Sequence, residues 1–176
     1  MYGKIISIDI KSKETEIVAM GVRNSQGLYY DQNSDIILFT DHGPKGGDEI
    51  NINFSPDNEV IENYGWPISS YGEEYDGKTR EGSPFYKSHV DYGFIEPLKY
   101  FTKAIAPSEI VSLGDNRYIM GAMKDKSIYT FEISDRSIVN LKRVEIGERV
   151  RDVIFNGKDI YLFLEDTASI GIINYK

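Results

Sequence analysis

An Arg-Asn pair at positions 23 and 24, in V-R-N-S-Q-G-L, precedes one strand-forming run. A Gly- and Pro-rich acidic loop, T-D-H-G-P-K-G-G-D-E-I-N-I over residues 40–52, follows the next such run. That spacing places two turns at the same end of a β-hairpin, where both can face one ligand. Lys124 and the pair Arg149 and Arg151 occupy comparable places around later strands. Guanidinium and ammonium groups make charge-assisted hydrogen bonds to carboxylates and phosphates. Cations delivered to one rim by successive strand units therefore predict a polyanionic ligand on an all-β scaffold.

The elements that must position these residues are short strands. Lys4 to Ile10 alternates apolar and polar residues, turns at Lys11 to Lys13, and returns as Thr15 to Met20. Leu28 to Tyr30 and Ile36 to Thr40 form a second hairpin across Gln32 to Ser34, and Glu49 to Asn53 adds another strand. Seven more runs follow: Glu109 to Leu113, Tyr118 to Ala122, Ser127 to Ile133, Ile138 to Val144, Arg151 to Phe155, Ile160 to Leu164 and Ser169 to Asn174. Segments rich in Ile, Val, Tyr and Phe, punctuated by Gly, Asp, Asn and Ser, are the pattern of an all-β fold. No stretch carries a capped, amphipathic helical period. Residues 54–97 are polar and rich in Gly and Tyr, and read as a long excursion between strand units.

At 176 residues the chain fits one domain with a real core, taken as 1–176, and is too short to predict two. With 40% hydrophobic and 27% charged residues the composition is that of a globular chain. A net charge of −8 argues against nucleic acid as a general partner and makes clustered cations more notable. The chain has no cysteine, which excludes disulfides and thiolate metal sites. No apolar run approaches the ~20 residues of a membrane-spanning helix. The opening M-Y-G-K-I-I-S-I-D-I alternates in place of the apolar core of a signal peptide, so no export signal is expected in this chain.

A weak repeat emerges when residues 24–53, 107–145 and 150–175 are overlaid. Each has an opening turn, a short strand, a more apolar strand followed by Gly or an acid, and one or two outer strands. Repeated small antiparallel sheets predict β-propeller blades, with their loops gathered at one end. About three blades plus a leading hairpin are visible, fewer than the four to eight of a closed propeller.

Six runs carry a specific resemblance: G-V-R-N-S-Q-G-L, H-G-P-K-G-G-D-E-I-N, N-Y-G-W-P, I-A-P-S, G-A-M-K and G-E-R-V-R-D-V, in order between residues 21 and 153. Together they resemble the C-terminal half of the soluble sugar dehydrogenases dependent on pyrroloquinoline quinone (PQQ), which are six-bladed β-propellers. Each run alone is weak, and six in family order are strong. The resemblance implies oxidation of an aldose at C1 to a lactone, with hydride passed to PQQ and Ca²⁺ bound beside the cofactor. It also implies a periplasmic or secreted location.

By that resemblance Lys124, Arg149 and Arg151 grip the quinone carboxylates, with Asn24 and Asp48 as neutral and orienting contacts. Arg23 would lie near the quinone carbonyl, where fixed positive charge stabilises an oxyanion. His42 would border the cofactor. Gly43 and Pro44 would offer backbone carbonyls to Ca²⁺, a hard ion that prefers oxygen, and the small Gly43 would permit the close approach. A second, structural Ca²⁺ would use the Glu49 carboxylate and the Tyr64 backbone oxygen. Ala104 stands where some family members carry a hydroxyl residue that contacts the cofactor. The family's base histidine belongs to the N-terminal half and is expected to be missing, so the chain is expected to be catalytically incomplete alone. Open sheet edges and apolar end faces predict pairing with an N-terminal half-propeller or with a second copy.

Structural readings of the same residues stand alongside. Arg23 and Asn24 could simply close a turn, and Gly43 to Asp48 could be an ordinary tight loop. Arg149 and Arg151 could pair at the surface with Glu148 or Glu132, and Lys124 could lie in a solvated turn. His89 reads as an exposed residue of the excursion, and Trp66 as packing between blades. Nothing arranges Ser, His and Asp as a nucleophilic triad. A non-catalytic propeller used for binding, or an inert fragment, remains the alternative to the cofactor-binding half of an oxidoreductase.

Overall fold

A computed structural model describes residues 2–56, 60–75 and 85–175. Fourteen strands are described: β1 Lys4–Ile8, β2 Thr15–Met20, β3 Ser25–Asp31, β4 Ile36–Asp41, β5 Asp48–Asn53, β6 Glu62–Asn63, β7 Lys99–Phe101, β8 Pro107–Gly114, β9 Arg117–Ala122, β10 Ser127–Ser134, β11 Ser137–Glu145, β12 Val150–Phe155, β13 Asp159–Leu164 and β14 Ser169–Asn174. They form four sheets ordered β1-β2-β6, β3-β4-β5-β7, β8-β9-β10-β11 and β12-β13-β14. Apart from the parallel β2–β6 pair, every strand pairing is antiparallel. The molecule is thus an arc of β-propeller blades: three sheets match the three overlaid units, and the leading hairpin is widened by β6.

Three short elements were not read from the sequence. Strand β6 and a single 3-10 turn over Val90–Tyr92 lie within the excursion, and β7, just after it, closes the outer edge of its blade against β5. All three are too short to leave a periodic pattern. The rest of the predicted excursion lies partly outside the described residues, at 57–59 and 76–84.

Core clusters sit between neighbouring sheets. Ile5, Ala19, Val22, Ile37, Phe39 and Tyr64 join the first sheet to the second. Leu38, Ile50, Ile110, Tyr118, Met120 and Phe131 join the second to the third, and Ile119, Ile128, Val150, Val153 and Leu162 join the third to the fourth. Polar groups also cross these seams. The Thr40 hydroxyl donates to the Ser108 carbonyl at 3.0 Å, and the Ser108 hydroxyl donates to the Val150 carbonyl at 2.7 Å. All three residues are buried, so this relay fixes how three successive blades are staggered.

Strand register decides which loops share a rim. Ser25 pairs with Asp41, Asp41 with Glu49, Pro107 with Ala122, Ala122 with Ser127, and Val150 with Leu164. Loops 21–24, 42–47, 102–106, 123–126 and 146–149 therefore all emerge at one end of the arc.

Candidate functional site

Arg23 and Asn24 are set by Asp41, the last residue of β4. Its buried carboxylate accepts the Arg23 backbone N–H at 2.8 Å and the Asn24 N–H at 2.5 Å. Burial drives the Asp41 carboxyl up to about 6, against the lowering effect of those two bonds and of the Arg23 charge. The Asn24 carbonyl accepts the His42 N–H at 3.2 Å, which joins the two turns. The Asn24 side chain is exposed and accepts a bond from Gln26 Nε2 at 2.9 Å.

The Arg23 guanidinium is held on several sides. Nη1 donates to the His42 carbonyl at 2.9 Å and Nη2 to the Tyr75 hydroxyl at 3.2 Å. Its Cζ lies 5.3 Å from the Trp66 ring centroid and 5.9 Å from that of Tyr75. The His42 ring donates through Nε2 to the Pro107 carbonyl at 2.6 Å.

Asp48 does more structural work than a ligand contact would need. Its carboxylate accepts the N–H groups of Gly43 at 3.0 Å, Ile105 at 2.7 Å and Ala106 at 2.8 Å, and the residue is only 2% exposed. It stitches the 42–47 loop to the segment leading into β8. Gly43 is similarly committed to its own loop: a Cβ there would lie 2.0 Å from the Gly46 carbonyl oxygen. The close approach that requires glycine is thus between turns of one loop.

His89 is a correction to the sequence reading, since it is 1% exposed and not a surface residue. The excursion folds back so that His89 Nε2 lies 3.6 Å from Glu49 Oε1 and Nδ1 lies 4.0 Å from Glu96 Oε2. Burial pushes the imidazole pKa down, against the Glu96 charge, so the ring favours its neutral form. Its Nδ1 and the Asn51 Oδ1 are buried without a hydrogen-bond partner among the described residues. Glu49 is pushed up to about 8 by burial, with Asp41, Glu96 and Asp48 adding to the effect, while a 3.1 Å bond from Asn51 opposes it. Tyr71 stacks on Tyr100 at 3.7 Å, faces His89 at 5.2 Å, and donates its hydroxyl to Glu96. Arg23, Asp41, Gly43, Glu49, Tyr64 and His89 line one small, half-open pocket.

Lys124, Arg149 and Arg151 form a second arc on the same rim. The Lys124 backbone N–H donates to the Ile105 carbonyl at 3.0 Å, while its ammonium is exposed and pairs with no described residue. Arg149 Nε donates to Glu165 Oε1 at 3.2 Å and Arg151 Nε to Glu165 Oε2 at 2.8 Å, so both guanidiniums share one carboxylate. The surface partner is Glu165, not Glu148 or Glu132, because Arg149 directly precedes Val150, the first residue of β12, which pairs with Leu164 next to Glu165. Arg149 also approaches the Met123 sulfur at 3.9 Å. Ala104 sits half-buried between the two arcs. Among the described residues no group of three His, Cys, Asp or Glu side chains could hold a metal ion.

Sequence reasoning missed Tyr75 and read Trp66 as packing between blades without naming its neighbours: Trp66 packs on Phe85 at 5.4 Å and lies against Arg23. Both lie in the excursion, which carries no periodicity from which contacts could be drawn.

Comparison with known proteins gives the same outline. The family described as Glucose / Sorbosone dehydrogenase matches residues 7–173. The aldose sugar dehydrogenase YliI of Escherichia coli K12 is 31% identical over 165 residues, covering 89% of this chain and 42% of that protein. A crystal structure of glucose dehydrogenase superposes with TM-score 0.80 at 25% identity, covering 99% of this chain and 54% of that one. The PQQ-bound form of an aldose sugar dehydrogenase from Streptomyces coelicolor superposes with TM-score 0.68, covering 95% of this chain and 47% of that one. At 19% identity this last likeness is one of fold. The chain spans about half the length of the proteins it matches.

Proposed function

This chain belongs to the Glucose / Sorbosone dehydrogenase family, and from that premise we propose that it is the cofactor-binding part of a PQQ-dependent aldose dehydrogenase. The observation that carries the reading is the single rim on which the Arg23 arc and the Lys124, Arg149 and Arg151 arc meet. The segment from Ala104 to Pro107 links them, bonded on one side to Asp48 and His42 and on the other to Met123 and Lys124. The fold it shares with a PQQ-bound protein supports the same ligand.

The residues present fit the quinone. Lys124 offers an ammonium that pairs with none of the described residues, and Arg149 and Arg151 together outweigh the one carboxylate they share. Three carboxylates on a small ligand are matched by such groups. PQQ when bound supplies the hydride acceptor. Arg23 keeps a fixed positive charge where negative charge develops, with no reorganisation needed at the moment of reaction. Asn24 and His42 border the same space, and Asp41 and Asp48 orient the loops that carry them.

A cation also fits. Glu49 lies buried beside an Asn51 oxygen that has no partner among the described residues, while Asp41, Glu96 and Asp48 raise its pKa without gathering with it as a side-chain metal site. Those oxygens, with the Tyr64 carbonyl, are the donor chemistry Ca²⁺ selects. Gly43 and Pro44 would hold the ion nearer the quinone through their carbonyls.

Neither histidine stands in a run that the resemblance assigns to the base: His42 borders the cofactor with its Nε2 held by the Pro107 carbonyl, and His89 is buried. The reading therefore places the general base outside these residues, in the part of the propeller that they do not form. Ile8, Ile170 and Ile172, all more than half exposed on the two end sheets, are the surfaces that part would cover. Export to the periplasm or beyond belongs to the same reading, and no helix among the described residues is long and apolar enough to cross a membrane. Sugar-dependent dye reduction by this chain, supplied with an N-terminal half of the family, PQQ and Ca²⁺, tests the proposal. Activity that disappears in Arg23→Gln supports it. Quinone binding without sugar oxidation would leave a binding module and overturn the enzymatic reading.

A further inference from the structure

Trp66 is the only tryptophan in the chain and lies in the wall around Arg23. Its place is set by backbone contacts with the turn that carries Arg23. The Trp66 N–H donates to the Gly21 carbonyl at 2.9 Å, and the Tyr64 N–H donates to the Met20 carbonyl at 2.9 Å. Gly21 has φ +71, and a Cβ there would lie 2.1 Å from Asn63 Oδ1 and 2.7 Å from the Gly65 nitrogen. Only glycine lets segment 63–66 lie this close to the turn. The consequence is that the indole comes under the guanidinium at 5.3 Å.

Among the described residues no carboxylate forms an ion pair with the Arg23 side chain. Asp41 is bonded to its backbone N–H, and among those residues the guanidinium meets a carbonyl, a phenol and two aromatic faces. A neutral grip of this kind orients the cation without neutralising it. A carboxylate in the same place would cancel the charge that an anionic ligand is to meet. The π face of Trp attracts a guanidinium electrostatically and is the strongest of the aromatic faces at doing so.

We propose that Trp66 is a positioning residue: it holds the Arg23 guanidinium, still fully charged, in the orientation that receives the anionic ligand. This rests on the quinone-binding reading for the identity of that ligand, and on geometry alone for the grip on Arg23.

Two measurements test it. In the free protein labelled with ¹⁵N-arginine, the Arg23 Nε–H proton is expected upfield, shifted by the indole ring current. The shift should persist in Trp66→Phe and vanish in Trp66→Leu. An unshifted signal in the unsubstituted protein overturns the proposal. Calorimetric titration with PQQ in Ca²⁺ then gives the ligand side. W66L should weaken binding about 5–30-fold, the range of a partly desolvated cation–π contact. In the Arg23→Gln background the same substitution should change affinity less than about 2-fold. Equal weakening in both backgrounds would make Trp66 a merely structural residue and overturn the proposal. Where W66L does not fold, W66F serves, with a smaller loss expected only when Arg23 is present. If PQQ gives no heat with any variant, the quinone reading fails, while the ring-current shift still decides the grip on Arg23.

Discussion

Asp48→Ala separates a loop-tying role from a ligand contact. In the structure the Asp48 carboxylate accepts three backbone N–H groups, from Gly43, Ile105 and Ala106, at 2.7–3.0 Å in a nearly fully buried position. Removing it leaves three donors without a partner in a place where water has little access. A hydrogen bond to a charged group contributes about 1.5–3 kcal/mol, and an orphaned buried donor costs about 1–3 kcal/mol. Part of that loss is recovered if the 42–47 loop loosens and admits water, so a net cost of about 3–5 kcal/mol is expected. Asp48→Asn should cost about 2–3 kcal/mol, because the amide keeps an accepting oxygen but turns an N–H₂ toward at least one donor. Urea unfolding followed by far-UV circular dichroism and by Trp66 fluorescence checks both values, with an unchanged denaturant slope required for the comparison. A D48A midpoint within about 1 kcal/mol of the unsubstituted protein would refute the reasoning, and would return Asp48 to the ligand as a direct contact.

Other expectations follow from the same contacts. Thr40→Val removes the hydroxyl that accepts the Gly27 N–H and donates to Ser108, and should cost about 2–4 kcal/mol in the same melts. Glu49 has its folded pKa raised from 4.5 to about 8, so its contribution is fully present below about 4.5 and is lost as pH rises through about 8. The loss is on the order of 4–5 kcal/mol, and Glu49→Gln should remove this part of the pH dependence in melts at pH 5, 7 and 9. Identical pH profiles for the two proteins would contradict it. Arg151→Ala breaks a half-exposed ion pair and should change stability by less than about 1 kcal/mol, while weakening quinone binding measured by calorimetry.

How much was legible in the sequence differs between the blades and the excursion. Alternation of Ile, Val and Tyr with polar residues marks β8 to β14 because each strand has one or both faces against a neighbouring sheet. The ends of those strands put Lys124, Arg149 and Arg151 on one rim with Arg23, since register is a local property that turns and periodicity set. The excursion obeys no such rule. His89 is buried by the return of residues 85–100 onto Glu49, a long-range packing choice that no pattern around H-V-D-Y encodes. The partners of Trp66 and the loop-tying part of Asp48 were hidden for the same reason: both depend on residues distant in the chain, Arg23 in one case and Ile105 and Ala106 in the other. Asp41 drew no attention as a functional residue, although an acid ending an otherwise apolar strand directly before the His42 loop is a signal that it binds backbone N–H groups across the turn.

The central claim is that the two cationic arcs form one cradle for an anionic quinone. Calorimetric titration of the chain with PQQ in the presence of Ca²⁺ addresses it most directly. The account predicts one quinone per chain, with affinity that falls in Arg23→Gln and in Lys124→Ala and that weakens when Ca²⁺ is chelated. No binding heat, or binding indifferent to both substitutions, would contradict it.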